Sequence, residues 1–361
     1  MMAKPRVLIY NFCFRRPFLA LLVREDPELF ARDVLAGAHT GSVGLQREDV
    51  AFLDAVSLRE GSWIDWGGAE ASSPGGLGQL LLIPGGFDLG YCKKLDGDGV
   101  GIRGFVEGGG SLLGLCAGSY FASRLCKFDL HNWAAQDRRI VGARELALFP
   151  GTAEGPWLGD YAYTGDHTTG RVARIVVSRE LEMPLRERGS GTRAMSPDAP
   201  GQQPSAGGRS IDLGPRSTGA ARRVGALVEQ VCADCRRDVS TSVVDEEVLG
   251  VYWNGGPRYI LDQEYPASAQ VLACYADAPL PGWPSREAAV VEVRVGQGRA
   301  ILSAVHPEIS KAYLQRQRSC TAGQDTAPAC AQVSSHVLSR LDEQDSRRFL
   351  GALVSRLLRN K

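Results

Sequence analysis

Apolar residues gather along this chain in short runs closed off by glycine, proline or charged residues. Residues 6–10, 80–83 and 110–115 are near-continuously apolar at their centres, as in Val7-Leu8-Ile9-Tyr10 and Leu80-Leu81-Leu82-Ile83. Runs this short and this rich in Val, Ile and Leu suit parallel strands covered on both faces. Residues 175–177, 248–253, 290–295 and 299–305 predict further strands. Helical spacing lies between and after them. Ile102, Phe105 and Val106 share one face, and residues 117–126 carry no proline and no glycine beyond their first turn. Phe349, Leu350, Leu353, Val354, Leu357 and Leu358 mark one buried stripe of a closing helix. Strands alternating with helices predict an α/β fold with a doubly wound, mostly parallel sheet. Within 290–305, Val291-Glu292-Val293-Arg294-Val295 alternates, Gly296-Gln297-Gly298 turns and Arg299-Ala300-Ile301-Leu302 returns. That pattern predicts an added antiparallel hairpin, at a sheet edge or in a small sheet of its own.

Two stretches break the pattern. Residues 187–222 lack aromatic residues, and 187–220 hold 7 Gly, 4 Pro and 5 Ser. Such a segment buries too little to offset its ordering entropy, so it is expected to be a flexible insertion. A milder version at 315–335 is read the same way, within a single domain over 1–361. Composition narrows the function classes. Of 361 residues 44 % are apolar, ample for a core. Lys plus Arg, 41, balances Asp plus Glu, 41. Without a basic field to gather phosphates, nucleic acid is not an expected partner. No run reaches the ~18–20 apolar residues of a membrane span, and no secretory apolar region follows the start. A cytoplasmic location away from membranes is expected. The nine cysteines are then read as reduced thiols.

The chemistry concentrates at Gly114-Leu115-Cys116-Ala117-Gly118, where a strand is expected to pass into a helix. A nucleophile on so sharp a turn takes strained backbone angles, and glycines two before and two after relieve the crowding. The following helix start favours thiolate over thiol. Taken alone, Cys116 reads equally as one more buried cysteine. Two further segments bear on it. Ile83-Pro84-Gly85-Gly86 closes an earlier strand, and the amides of Gly85 or Gly86 with that of Ala117 could supply the donors an oxyanion requires. His306-Pro307-Glu308 closes a later strand. Residues i and i+2 of an extended segment point the same way, so Glu308 can orient His306 as a base.

Together Pro84-Gly85-Gly86, Gly114-Leu115-Cys116-Ala117-Gly118 and His306-Pro307-Glu308 resemble class I glutamine amidotransferases. More narrowly, the chain resembles the amidotransferase-like N-terminal domain of eukaryotic biotin-protein ligases and its stand-alone relatives. The segments that carry this are Leu82 through Leu89, Gly110 through Ser123, Val141 through Leu146 with Phe149-Pro150-Gly151, Tyr252-Trp253-Asn254-Gly255-Gly256, and Gly298 through Ser303 before His306. The resemblance implies a flavodoxin-like fold and a triad of Cys116 as nucleophile, His306 as base and Glu308 as its orienter. It implies hydrolysis of a small-molecule carboxamide, glutamine or similar, through a thioester, with no cofactor. A non-catalytic binding or regulatory module on the same fold is the alternative. Many class I enzymes read Gly-His-Gln after the nucleophile where this chain has Gly118-Ser119-Tyr120. The family tends to carry Arg where Phe87 stands, and Phe12-Cys13-Phe14-Arg15-Arg16 replaces an expected glycine-rich loop. No synthetase or ligase motif is found, so any ammonia acceptor is expected on a partner synthetase or ligase.

Other signals are weaker. Gly99-Val100-Gly101-Ile102-Arg103-Gly104 fits a dinucleotide loop but follows no strand. Cys232 and Cys235 have a zinc spacing without a second pair, and no metal is expected. Asp166-His167 reads as a loop pair that could reach the rim of a pocket.

Overall fold

The computed structural model describes residues 6–10, 45–46, 49–60, 79–95, 99–130, 139–159, 161, 167, 169–184, 247–261, 268–278, 286–320 and 334–359. All belong to one compact unit, Met1–Pro184 with Glu246–Lys361; Leu185–Asp245 forms a second. The expected insertion at 187–222, the Cys232/Cys235 pair, Asp166, the Phe12–Arg16 segment and most of 315–335 lie outside the described residues. In chain order the elements are β1 (Val7–Tyr10), β2 (Val50–Leu53), α1 (Ala55–Glu60), β3 (Leu80–Ile83), α2 (Asp88–Leu95), α3 (Gly99–Glu107), β4 (Ser111–Leu115), α4 (Ala117–Ala122) and β5 (Ser123–Phe128). They continue as β6 (Ile140–Ala143), β7 (Phe149–Gly155), β8 (Arg171–Val177), β9 (Val248–Trp253), β10 (Arg258–Leu261), β11 (Ala269–Tyr275), β12 (Ala288–Val295) and β13 (Gly298–Ser303). The chain closes with α5 (Lys311–Cys320), α6 (Ser335–Arg340) and α7 (Glu343–Leu358).

The near-continuous apolar runs become the middle of the sheet. Every residue of β1, β3 and β4 is buried, because neighbours pair on both edges and helices cover the faces. With β2 and β13 they form the order β2-β1-β3-β4-β13, parallel throughout. The result is an α/β architecture, wound on both faces as the alternation predicts and of the flavodoxin-like type the resemblance implies. The hairpin β12–β13 is present, with its turn at Gly296, whose φ of +58° suits glycine. It is not at an edge. β13 pairs β4 on one side and β12 on the other, and β12 leads on through β10 and β7 to β5 and β6. The hairpin thus joins the parallel half to a mixed one, in which β12, β10 and β7 run antiparallel while β5 lies parallel to β7, and β13 is buried at all but Arg299.

One helix is shorter than predicted. α4 ends at Ala122, where Ser123 turns to a ψ of 152° and donates its N–H to Tyr120. Ser123–Phe128 then runs as a strand, parallel to β7 and antiparallel to β6. Two partner strands satisfy its backbone and bury Cys126, which outweighs the weak local preference for helix. Gly99, Gly101 and Gly104 lie within α3 rather than on a strand-to-helix turn, so the dinucleotide pattern lacks its phosphate cradle.

α7 begins at Asp342, whose carboxylate accepts from the N–H groups of Gln344 and Asp345. Its predicted stripe is buried, and Ser111 at the start of β4 donates to the Leu357 carbonyl at 2.7 Å. Buried Arg348 fastens this helix to the strand ends. It donates to the Pro184 carbonyl and to Glu247, both at 2.7 Å, with Asp345 at 3.6 Å. Replacing Arg348 by alanine strands two carboxylates and a carbonyl. In urea unfolding this is expected to remove about 3 kcal/mol; an unmoved midpoint would show that the clasp contributes nothing.

Candidate active site

Cys116 follows the last residue of β4 with φ 44° and ψ −103°, a backbone that non-glycine residues rarely adopt. Four hydrogen bonds hold it there. Its N–H donates to Ser303 O at 2.8 Å, and its carbonyl accepts from Ser119 N, Tyr120 N and Ser119 Oγ. The flanking glycines are sterically required. A Cβ on Gly118 would stand 2.2 Å from the Ile83 carbonyl oxygen, and one on Gly114 would stand 2.9 Å from that of Gly118. The glycines thus let β3, β4 and the first turn of α4 meet backbone to backbone under the cysteine.

His306 lies just past the end of β13 and is fully buried. Its N–H donates to Tyr252 O at 2.7 Å, and its Nδ1 meets Glu308 Oε1 at 2.7 Å. Nε2 of His306 and Oε2 of Glu308 are buried without a hydrogen-bond partner among the described residues. Cys116 and His306 come together at Gly85. A Cβ placed on Gly85 would lie 2.5 Å from His306 Cε1 and 3.6 Å from Cys116 Cβ, so both side chains flank one backbone atom. The thiol donates to the Asn254 carbonyl at 3.6 Å. Burial works against the imidazolium, but its interactions with the Glu308 carboxylate and with Cys116 outweigh it. His306 is raised from 6.5 to about 10.

The third sequence-predicted segment closes the same space. Gly86, at φ +149°, takes an angle open to glycine, and Tyr91 donates its hydroxyl to the carbonyls of Pro84 at 2.8 Å and Gly85 at 3.0 Å. Among the described residues, the backbone N–H groups of Gly85, Gly86 and Ala117 make no hydrogen bond. All six residues singled out in the sequence therefore gather in one place: Cys116, His306, Glu308, Gly85, Gly86 and Ala117.

Sequence reasoning alone did not assign the backing of this site. Tyr252 holds His306 through its carbonyl, while its hydroxyl meets Nδ1 of buried His167 at 2.7 Å. Asn254 offers its backbone carbonyl to the thiol, and its side-chain oxygen accepts from Thr169 at 3.0 Å. Tyr120 donates to Gly255 O at 3.0 Å, so the position where many class I enzymes carry glutamine instead braces the Asn254 segment. The available signal was Gly255-Gly256. A Cβ on Gly256 would lie 1.8 Å from Ala304 O, and paired glycines after two aromatics mark such an approach. His167, half of a pair read in the sequence as able to reach the rim of a pocket, is buried against Tyr252. Phe87, where the family tends to place arginine, is 38 % exposed. Neighbouring Asp88 is buried and accepts from Arg144 Nε at 2.9 Å. Among the described residues, no cluster of three His, Cys, Asp or Glu side chains could hold a metal ion. None of the described helices is long and apolar enough to cross a membrane.

Comparison with known proteins matches the chain to the family described as biotin-protein ligase, N terminal, over residues 76–193 and 221–358. A biotin–protein ligase of Schizosaccharomyces pombe (strain 972) is 26 % identical over 311 residues, 84 % of this chain and 33 % of the ligase. The chain thus spans about a third of that relative's length. An uncharacterized protein of Chlamydia muridarum (strain MoPn) is 40 % identical over 96 residues, 26 % of this chain and 35 % of that one. Among solved structures, a β-galactosidase from Bacillus circulans sp. alkalophilus aligns over 84 % of this chain and 29 % of its own at a TM-score of 0.36 and 11 % identity, too slight a likeness to bear on the chemistry. Matched in two long blocks that contain Cys116, His306 and both paired-glycine segments, the chain belongs to the biotin-protein ligase N-terminal family.

Proposed function

We propose that this member of the family hydrolyses a small carboxamide, glutamine or a similar molecule, through a thioester on Cys116. The observation that carries the reading is the convergence on Gly85 of Cys116 and a His306 already hydrogen-bonded to Glu308. A thiolate is the nucleophile such chemistry needs, and an adjacent imidazolium stabilises it. Sulfur attacks the amide carbon, forming a C–S bond and moving the carbonyl electron pair onto oxygen. The amides of Gly85 or Gly86 and of Ala117 take that oxyanion. As it collapses the C–N bond breaks, His306 gives its proton to the departing nitrogen, and ammonia leaves. His306 then removes a proton from water, which attacks the thioester, releasing the carboxylic acid and restoring the thiolate. Glu308 keeps the imidazole oriented throughout. Ammonia so formed reaches an acceptor on a partner synthetase or ligase.

A second reading has its own support: this fold serves as a non-catalytic binding or regulatory module of the biotin-protein ligase kind. Family membership favours it, as do Ser119 and Tyr120 in place of the glutamine-holding pair, Tyr120 being committed to Gly255. One experiment divides the two. The protein is treated with a glutamine-analogue alkylator and mass gain is followed at each cysteine. Cys92, half-buried and with a thiol pushed up by burial, is the internal reference. Catalysis predicts labelling of Cys116 roughly 100-fold faster than of Cys92, abolished in Cys116→Ser and slowed by about 10²-fold in His306→Ala. Equal rates at the two cysteines would favour the module, and ammonia release from glutamine then tests the substrate.

The titration of His306 gives an independent check. Because its folded value, about 10, lies above the ordinary 6.5, the stability it contributes is complete below pH 6.5 and is lost as pH rises through about 10. The wild-type advantage in unfolding free energy over His306→Gln is therefore expected to shrink across that window. Its imidazole nitrogen resonances should titrate near its upper end. Glu308→Gln should move the midpoint down, while a wild-type midpoint at 6.5 would remove the ion-pair account.

A further inference from the structure

We infer that Tyr91 is a positioning residue that sets the direction of the oxyanion donors, a role that rests on the catalytic reading above. Its hydroxyl shares one proton between the carbonyls of Pro84, at 2.8 Å, and Gly85, at 3.0 Å. These two carbonyls belong to consecutive peptide groups, and both groups are trans. In a trans peptide the N–H points opposite to the C=O. A hydroxyl that draws both carbonyls to itself therefore turns the N–H groups of Gly85 and Gly86 away from itself. What lies against Gly85 is the Cys116–His306 pair. The two glycines give this loop unusual backbone freedom, so without an anchor either peptide plane could rotate. With it, two donors are fixed before any substrate arrives, the condition for electrostatic stabilisation of a transition state without reorganisation.

Tyr91 is suited to hold that direction. It rises from α2, is fully buried, and its ring packs between those of Tyr10, centroids 5.8 Å apart, and Phe121, 5.9 Å. Burial keeps its hydroxyl protonated well beyond the neutral range, so it remains a donor. Phe121 belongs to α4, the helix that begins beside the cysteine. The tyrosine thus rests on the element that carries the nucleophile while it holds the element that would receive the oxyanion.

The test separates two reactions at one sulfur. Iodoacetamide is attacked at its methylene carbon and develops no oxyanion. p-Nitrophenyl acetate is attacked at its carbonyl, forms a tetrahedral oxyanion, and releases p-nitrophenolate as Cys116 is acetylated. Tyr91→Phe keeps the packed ring and removes only the hydroxyl. We expect alkylation of Cys116 within about twofold of wild type and acetylation slowed by about 10²-fold, the scale of one lost oxyanion donor. Phe121→Leu, which loosens the same packing and leaves the hydroxyl, is expected to change the two rates together. Equal rates for both reactions in Tyr91→Phe and wild type would overturn the role, as would an equal fall in both. A wild-type protein whose Cys116 is alkylated but never acetylated would overturn the catalytic reading itself, and this role with it.

Discussion

The site depends on backbone meeting backbone without side chains between. Under Cys116 the carbonyl of Ile83 faces Gly118, and Gly118 in turn faces Gly114, at separations no Cβ would permit. This contact forces the chain to reverse from strand to helix within one residue, and the residue at the apex carries the positive φ. Such a backbone costs on the order of 1–3 kcal/mol and persists only where its surroundings over-determine it. Here they do, through the Ser303 carbonyl on one side and the first turn of α4 on the other. Everything chemical is arranged around that apex.

Electrostatics add a second constraint. His306 and Glu308 are almost wholly buried, and a charge there is tolerated only when a partner charge is held close. The 2.7 Å contact between them meets that condition for one atom of each. The remaining buried nitrogen and oxygen carry capacity for hydrogen bonds that the described residues do not fill.

Much of this was legible in the sequence because the signals were local. Continuous apolar runs gave the parallel strands, an apolar pair recurring every four residues gave α7, and glycines two positions either side of Cys116 marked the turn. What escaped were features decided by distant partners. Residues 123–126 look as helical as 117–122 until β6 and β7 are there to pair with them. The hairpin at 290–303 shows its turn but not that β4 would claim its outer edge. Tyr91 has no local signature at all, since it acts through carbonyls supplied from elsewhere in the chain, and for Asn254 and His167 the sequence marked the segment but not the partner.

The pairing of β13 with β4 carries a last consequence. Leu115 and Ser303 are opposite one another in that ladder, with Cys116 directly after the first and His306 three residues past the second. Their spacing is governed by the hydrogen-bonded width between two neighbouring strands, a dimension that hardly varies among proteins. Apart from β13 itself and the Tyr252–Asn254 segment, whose carbonyls hold His306 and the thiol, the polypeptide separating them in sequence has no part in measuring it. That intervening length is accordingly free to gain or shed whole segments over evolutionary time while sulfur and imidazole keep their appointment.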